Sequence, residues 1–409
     1  MFIGHSLTRL LAPAAMLLAI AWPSDQARAY LVYVLNSGEA SVTVIDSQTR
    51  EEFRRIPVLR EPHHLVMTPD GRELMIADAA ANEMLWINPD TAEVIRRERI
   101  SNPYHLGYSP DGKYFVVNSL RRSQVDIYNG ADMTLLARLP TPTQPSHMAF
   151  SPDSKRVFVT LQGSRGLLAI DLDERKPLWT LDVGPQPAGV IWHNSRLLVG
   201  VMGSNYVAVV DPGMSAGTSP GTARVERNII IGRGSHTVWP SPDGKTIYAT
   251  SRLDSAITLL DAETLQVKGR WDIPGGPDDI AVAPDGKLWV TLRWTARVAI
   301  IDPHTGEYEV LRVGKSPHGI LVHPTPTAQP VAAAQQPAAP GPERSGLNPA
   351  AQAIPGPTGA LPALGLVSGV FAAATPPPAI PSAVLGTGSA PQPQLLVPYA
   401  PWWRRLSKP

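Results

Sequence analysis

A repeat of about 42 residues runs through most of this chain, from Tyr30 to Pro324, and constrains its fold more than any other feature. Each repeat contains a short apolar run, a Pro-Asp-Gly turn, a second apolar run and a closing run such as Val-Thr-Val-Ile-Asp. The turns recur at Pro69-Asp70-Gly71, Pro110-Asp111-Gly112, Pro152-Asp153-Ser154, Pro242-Asp243-Gly244 and Pro284-Asp285-Gly286, with a degenerate copy at His193-Asn194-Ser195. Short strands at this period predict an all-β fold, a β-propeller with one four-stranded blade per repeat.

The number of blades follows from counting two kinds of strand. Seven repeats carry the pair of apolar runs. Seven opening strands also occur, but this series is displaced by one repeat toward the end of the chain. The first unit lacks an opener, and the last opener, Gly319–Val322, has no unit after it. Pairing Gly319–Val322 with Leu31–Leu35 closes the ring and removes the exposed sheet edges of an open array. The sequence therefore predicts seven blades.

The two ends of the chain differ from the repeats. Residues 1–29 resemble a Sec-type signal peptide, because Arg9 precedes the apolar run Leu10–Trp22 and Ala27-Arg28-Ala29 forms a cleavage site. Residues 30–324 are the propeller. Residues 325–409 are rich in Pro, Ala and Gly and are expected to be disordered, ending in a Pro-Trp-Trp-Arg-Arg segment that suits docking to a protein partner. We expect a periplasmic or secreted protein.

Composition excludes several classes of function. The formal net charge is +1, so no strong field favours nucleic acid as a partner. The chain has no cysteine, which excludes disulfides, thiolate metal sites and covalently attached c-type haem. The apolar run before the cleavage site is short for a membrane span, so none is expected after cleavage.

The repeats resemble a known family. Units such as Ser109-Pro110-Asp111-Gly112-Lys113-Tyr114 and Val42-Thr43-Val44-Ile45-Asp46 are similar to the YVTN-type β-propeller repeat of exported bacterial and archaeal proteins. The resemblance covers Tyr30 to Pro324. It implies a propeller fold but several functions, because similar repeats occur in surface-layer proteins, in periplasmic proteins of quinoprotein or haem pathways, in lactone hydrolases and in an antibiotic-opening lyase. The seventh unit, Gly276–Val290, also resembles repeats of that lyase.

Histidines mark the candidate site. Four of the nine in the mature chain are assigned to one repeat position, which Gly189, Asp279 and Gly319 occupy elsewhere: His64, His105, His147 and His236. Equivalent positions in seven blades form a ring around the channel, so these histidines and Asp279 are the candidate ligands of a divalent metal ion of unspecified identity. Histidines copied by duplication could instead only hydrogen-bond neighbouring blades.

Further polar residues are expected at the same mouth. His63 and His318 precede the ring position, and the loops after the second strands add Asn36, Asp78, Asn118, Arg252 and Arg293. Such a lining could hold a metal, an anionic ligand or both, since arginine binds carboxylate or phosphate with two parallel hydrogen bonds.

Three functions remain open at this stage. The first is a binding or accessory protein that holds a metal, cofactor or small anionic molecule at the channel mouth. The second is a metal-assisted lactone hydrolase or lyase with a channel histidine as general base. The third is a protein-interaction scaffold with an inert channel.

Overall fold

The computed structural model describes residues 30–214 and 223–323. The described residues form seven four-stranded antiparallel sheets, which confirms the predicted seven-bladed propeller. The predicted signal segment, residues 1–29, and the predicted tail, residues 325–409, lie outside the described residues.

The blades are numbered along the chain, and the strands of each run from the first to the fourth position of its sheet. Blade 1 contains β28 (Pro317–His323), β1 (Leu31–Asn36), β2 (Ser41–Asp46) and β3 (Glu52–Pro57). Blade 2 contains β4 (Pro62–Met67), β5 (Leu74–Asp78), β6 (Glu83–Ile87) and β7 (Val94–Arg99). Blade 3 contains β8 (His105–Tyr108), β9 (Tyr114–Ser119), β10 (Gln124–Asn129) and β11 (Leu135–Pro140). Blade 4 contains β12 (Pro145–Phe150), β13 (Arg156–Leu161), β14 (Gly166–Asp171) and β15 (Lys176–Asp182). Blade 5 contains β16 (Pro187–His193), β17 (Arg196–Val201), β18 (Tyr206–Asp211) and β19 (Arg224–Ile230). Blade 6 contains β20 (Ser235–Pro240), β21 (Thr246–Ser251), β22 (Ala256–Asp261) and β23 (Val267–Asp272). Blade 7 contains β24 (Pro277–Val282), β25 (Leu288–Leu292), β26 (Arg297–Ile301) and β27 (Tyr308–Arg312). A single 3-10 turn in the described residues, Leu120–Arg122, connects β9 to β10.

The ring closes as the sequence predicted. Strand β28 pairs antiparallel with β1, with Val322 opposite Val32 and Ile320 opposite Val34. The first strands of neighbouring blades also contact one another, from β28 to β4 and onward to β24 and back to β28. These seven first strands therefore form the innermost ring around the channel.

The core lies between blades rather than inside them. Strand β1 is buried along its whole length, with Leu31, Tyr33 and Leu35 packed against blade 2 and Val32 and Val34 packed against blade 7. Because neighbouring blades cover both faces of such a strand, its sequence is a continuous apolar run without alternation. The same arrangement recurs at the other blade interfaces.

Hydroxyl groups on three of the second strands hold the start of the inner strand in the next blade. Thr160 donates to the Ala188 carbonyl, Thr250 to that of Asp278 and Thr291 to that of His318, over 2.8 to 3.1 Å. These bonds fix the backbone of successive inner strands relative to one another. The side chains that follow at the channel mouth therefore start from a defined position.

Candidate functional site

The side chains of the channel mouth follow a shared position at the start of each inner strand. In five blades this position is a proline that pairs with the end of the second strand: Pro62, Pro145, Pro187, Pro277 and Pro317. In blade 6, Ser235 takes that place. The residue after this position is His63, Ser146, Ala188, His236, Asp278 or His318. His236 is therefore equivalent to His63 and not to His64, so the sequence-based grouping of His236 was wrong by one residue. Serine in place of proline concealed the correct register.

Six histidines meet at this mouth and form what we call the histidine cluster: His63, His64, His105, His147, His236 and His318. The ring of His64 lies at its centre, with centroid distances of 4.4 Å to His105, 4.8 Å to His63 and to His318, and 4.9 Å to His147. The ring of His236 completes the cluster, 5.2 Å from that of His147. The sequence thus identified residues that the fold brings together from five blades.

Asp278, which sequence reasoning missed, connects the cluster to two arginines. Its carboxylate is fully buried and lies 2.7 Å from His318 Nδ1, 3.0 Å from His236 Nδ1 and 3.0 Å from Arg293 Nη1. Arg252 forms a further ion pair with the same carboxylate. These cationic and hydrogen-bonding partners hold the pKa of Asp278 well below its usual range, although burial alone would raise it. Counting from Pro277 would have found this residue.

Tyr104 is the second residue that sequence reasoning missed. Its ring lies 4.0 Å from that of His63, and its hydroxyl is hydrogen-bonded to Ser146. Burial raises the pKa of Tyr104 to about 12, so the phenol stays protonated at neutral pH. It follows Pro103 as His63 follows Pro62, which is the sequence signal that could have identified it.

Asp279 follows Asp278 on β24 and is not part of the group with metal-ligand spacing found in the described residues. Its carboxylate accepts hydrogen bonds from the backbone N–H groups of Ile280 and Ile320. Burial, followed by the neighbouring Asp278 charge, raises the pKa of Asp279 to about 7. Asp279 is therefore a carboxyl group that exchanges protons near neutral pH.

Three other predicted residues form hydrogen bonds within the framework of the mouth. Asn36 accepts from Gly314 N and donates to Thr43 Oγ1. Asp78 accepts from three successive backbone N–H groups, those of residues 59 to 61. Asn118 donates to the Ser146 carbonyl. All three support the loops and strands around the mouth.

Burial keeps the histidine cluster uncharged. It is the largest cause that lowers the pKa of His63, His64 and His147 well below the usual value, with neighbouring imidazoles adding to the effect. Burial also lowers the pKa of His105 to about 4, and that of His318 to about 3. Each imidazole at neutral pH therefore has one nitrogen that donates and one lone pair that accepts.

Several of these nitrogens have no partner. His63 Nδ1, His64 Nε2, His105 Nδ1 and His318 Nε2 are buried and make no hydrogen bond among the described residues. A buried polar atom left unsatisfied costs roughly 1–3 kcal/mol. Four such atoms in one cluster are polar groups that a bound water molecule, ion or ligand could satisfy.

Three of the histidines have the spacing of metal ligands. One ring nitrogen each of His63, His64 and His318, which we call the metal triad, lie within 4.8 Å of one another. His318 uses Nδ1 for Asp278, which leaves Nε2 as its lone-pair nitrogen. A carboxylate on the remote nitrogen is the usual means of orienting a metal-binding imidazole. The described residues thus offer a group that could hold a metal ion.

Fold and mouth together define a seven-bladed propeller protein with a histidine-lined channel. Residues 5–326 match the YNCE-like beta-propeller family, and the chain belongs to that family. The match agrees with the resemblance of its repeats to the YVTN type. In residues 30–214 and 223–323, no helix has the length and apolar character needed to cross a membrane.

Similarity to individual proteins is more distant. Over 194 residues the chain is 25% identical to Antigen Lp49 of Leptospira interrogans serogroup Icterohaemorrhagiae serovar copenhageni (strain Fiocruz L1-130). That match spans 41% of this chain and 42% of the relative, less than half the length of either.

Solved structures with the same fold include two enzymes. Dihydro-heme d1 dehydrogenase NirN is 17% identical with a TM-score of 0.55, over 73% of this chain and 76% of that chain. The periplasmic gluconolactonase PpgL of Pseudomonas aeruginosa is 18% identical with a TM-score of 0.57, over 72% and 99%. At these identities the likeness shows the fold alone.

Proposed function

We propose that this chain is an exported binding or accessory propeller, in which His63, His64 and His318 hold one divalent transition-metal ion at the channel mouth. The observation that carries the proposal is the metal triad itself, in which three buried imidazoles each retain a nitrogen without a partner. Export is supported by the signal-like sequence of residues 1–29.

The donor set narrows the choice of metal. Three imidazole nitrogens suit Zn²⁺, Cu²⁺, Ni²⁺ or Co²⁺, whereas Mg²⁺ and Ca²⁺ prefer oxygen ligands. His236 is not one of the proposed ligands, because both of its ring nitrogens are engaged: Nδ1 contacts Asp278, and Nε2 lies 2.8 Å from Arg252 Nη2. Its role in this proposal is to hold Asp278, which in turn orients His318.

A catalytic function is the second candidate, and one observation favours it. Three protein ligands leave a coordination position open, which is typical of catalytic rather than structural zinc sites. When bound, such an ion would act as a Lewis acid on a substrate carbonyl. His105 and His147, whose rings lie 4.4 and 4.9 Å from that of His64, are the nearby imidazoles available as a base. Turnover of a panel of lactones, with and without Zn²⁺, tests this reading.

Metal titration of two double variants tests the proposed ligand set. Zn²⁺ binding is measured calorimetrically for the parent, for His63→Ala/His318→Ala and for His105→Ala/His147→Ala. The exposed His304 provides a matched control as His304→Ala. We expect one ion per chain in the parent and in the control, and loss of binding by at least about a hundredfold in the first double variant.

The second double variant separates our ligand set from the sequence-based one. If His64, His105, His147, His236 and Asp279 were the ligands, His105→Ala/His147→Ala would abolish binding and His63→Ala/His318→Ala would retain it. Absence of stoichiometric binding of Zn²⁺, Cu²⁺, Ni²⁺ and Co²⁺ by the parent would contradict both sets and leave the scaffold function.

A further inference from the structure

The charges at the mouth do not balance once a divalent ion is present. Arg252 and Arg293 are the cationic side chains acting on the histidine cluster, and Asp278 and Asp279 are acidic ones. Asp78 is a third buried carboxylate at the mouth. The two guanidiniums offset two of the three carboxylates when all are ionised, and the imidazoles are neutral when they bind a metal. At least one positive charge of a bound divalent ion is therefore uncompensated in a buried site, which is costly unless an anion accompanies it.

The two arginines differ in the donors they have left. Arg252 uses all three of its nitrogens: Nε and Nη2 contact Asp278, Nη2 also contacts His236, and Nη1 lies 3.2 Å from Met202 Sδ. Arg293 makes one side-chain hydrogen bond in the described residues, from Nη1 to Asp278 Oδ2. Its side chain remains 24% exposed, against 15% for Arg252. Arg293 thus keeps guanidinium donors for a ligand.

Arg293 and the metal triad are linked through a single oxygen atom. Asp278 Oδ2 lies 3.0 Å from Arg293 Nη1 and 2.7 Å from His318 Nδ1. The guanidinium and the imidazole of a metal ligand are therefore neighbours, and the Arg293 charge also acts on His63, a second member of the triad. Planar carboxylates match the fork geometry of guanidinium and also coordinate transition metals.

We propose that the site binds a small carboxylate, which coordinates the metal ion held by the triad and is anchored at its other end by Arg293. This inference rests on the proposed metal-binding function and adds the chemical class of the second ligand. It distinguishes Arg293, the ligand-binding arginine, from Arg252, whose role is to hold Asp278 and His236.

Cobalt provides a readout of both events. The parent is loaded with Co²⁺ and its visible absorption is followed while oxalate is added; inorganic phosphate and the uncharged oxamide are titrated in parallel. The same titrations are run on Arg293→Gln, on Arg293→Lys and on the control Arg297→Gln, which removes an equivalent charge at an exposed position. Metal-free parent with oxalate completes the set, and melting temperatures verify that each variant is folded.

We expect Arg293→Gln still to bind one Co²⁺ per chain, but the Co²⁺-loaded variant should lose oxalate affinity by about tenfold or more, because a charge-assisted pair of hydrogen bonds is removed. Arg293→Lys keeps the charge without the fork and should fall between the two. An oxalate affinity unchanged in Arg293→Gln, or equally weakened in Arg297→Gln, would overturn the inference. Phosphate binding more tightly than oxalate would overturn the assigned class. Failure of Co²⁺ itself to bind is a separate result, which refutes the proposed function and this inference with it.

Discussion

Asp278 is the residue on which most of the candidate site depends. It contacts His236, His318, Arg252 and Arg293, so one carboxylate orients two imidazoles and two guanidiniums. Removing its charge leaves the buried Arg252 without a counterion and His318 without the carboxylate that orients its ring. Both stability and metal affinity should therefore respond to this one position.

Replacement of Asp278 by Asn tests this dependence. We expect about 3–5 kcal/mol of lost unfolding free energy, since one partner of a buried ion pair is removed. Zn²⁺ affinity should fall about 10- to 100-fold, as is common when the carboxylate behind a metal-binding imidazole is lost. Urea unfolding and calorimetry measure the two effects. Asp272→Asn, at a highly exposed ion pair, is the control and should leave both unchanged.

The histidine cluster should make the metal-free protein sensitive to mild acid. The folded-state pKa of His105 is about 4, below the ordinary value of 6.5 that applies to the unfolded chain. Below pH 6.5 the unfolded chain therefore binds protons that the folded chain does not, and stability falls until the pH reaches the folded pKa. Asp279, with its pKa raised to about 7, binds a proton more readily in the folded chain and so adds stability as the pH falls. It is a single group, whereas the opposing effect comes from the six histidines of the cluster.

Urea unfolding between pH 7.5 and 4.5 measures this loss. We expect the unfolding free energy of His105→Gln to fall less steeply with decreasing pH than that of the parent. The difference should be about 1.4 kcal/mol per pH unit, the contribution of one proton. His304→Ala, which removes an exposed histidine, should keep the parent slope. A stability profile of the parent that stays flat across this range would contradict neutral, buried imidazoles.

At the scale of the strands, the glycines of the inner ring explain why the histidines occupy only some blades. A Cβ on Gly189 would lie 2.4 Å from the His236 carbonyl oxygen, and one on Gly319 would lie 2.7 Å from that of His63. The backbone of the next blade thus fills the space of a side chain. Glycine at these positions reflects close approach of strands, and gives no indication that the histidine positions tolerate glycine.

Substitution of Gly189 by Ala should therefore destabilise the propeller. The methyl group meets backbone, which cannot rotate away, and overpacking of this kind costs about 1–3 kcal/mol. Gly269→Ala is the matched control, because Gly269 also lies in a strand but has no heavy atom within 4 Å of the added Cβ. Thermal melts compare the two. Equal melting temperatures for both variants would show that the inner strands can separate without cost.

The elements could be predicted from sequence more completely than the site. Turns such as Pro110-Asp111-Gly112 and the fully apolar strands between blades have local signals, and the displaced opener revealed the closure. The mouth depends on register at strand starts, where Ser235 replaces proline and shifts the position of His236 by one. The convergence of Asp278 with His318 joins neighbouring blades through tertiary contacts, which local sequence patterns do not encode.

For the whole molecule, the boundary of the fold lies just after the closing strand. We predict that a fragment of residues 30–324 melts like the full mature chain, because residues 325–409 have the composition of a disordered tail. A fragment of residues 30–315 lacks β28, which pairs with β1, and should melt far lower. Calorimetric melts of the two fragments test both statements; similar melting temperatures would contradict the ring closure, and a low value for both would contradict a dispensable tail.

The closing strand also determines when the site can come into existence. His318 lies on β28, the last strand of the propeller to be synthesised, whereas His63 and His64 lie on β4, near its beginning. A growing or threaded chain therefore has two of the three donors long before it has the third. An ion held by all three can be acquired only after the final strand has joined the first. The compartment in which the polypeptide folds, rather than the one in which it is translated, would then determine which metal ion the proposed site acquires.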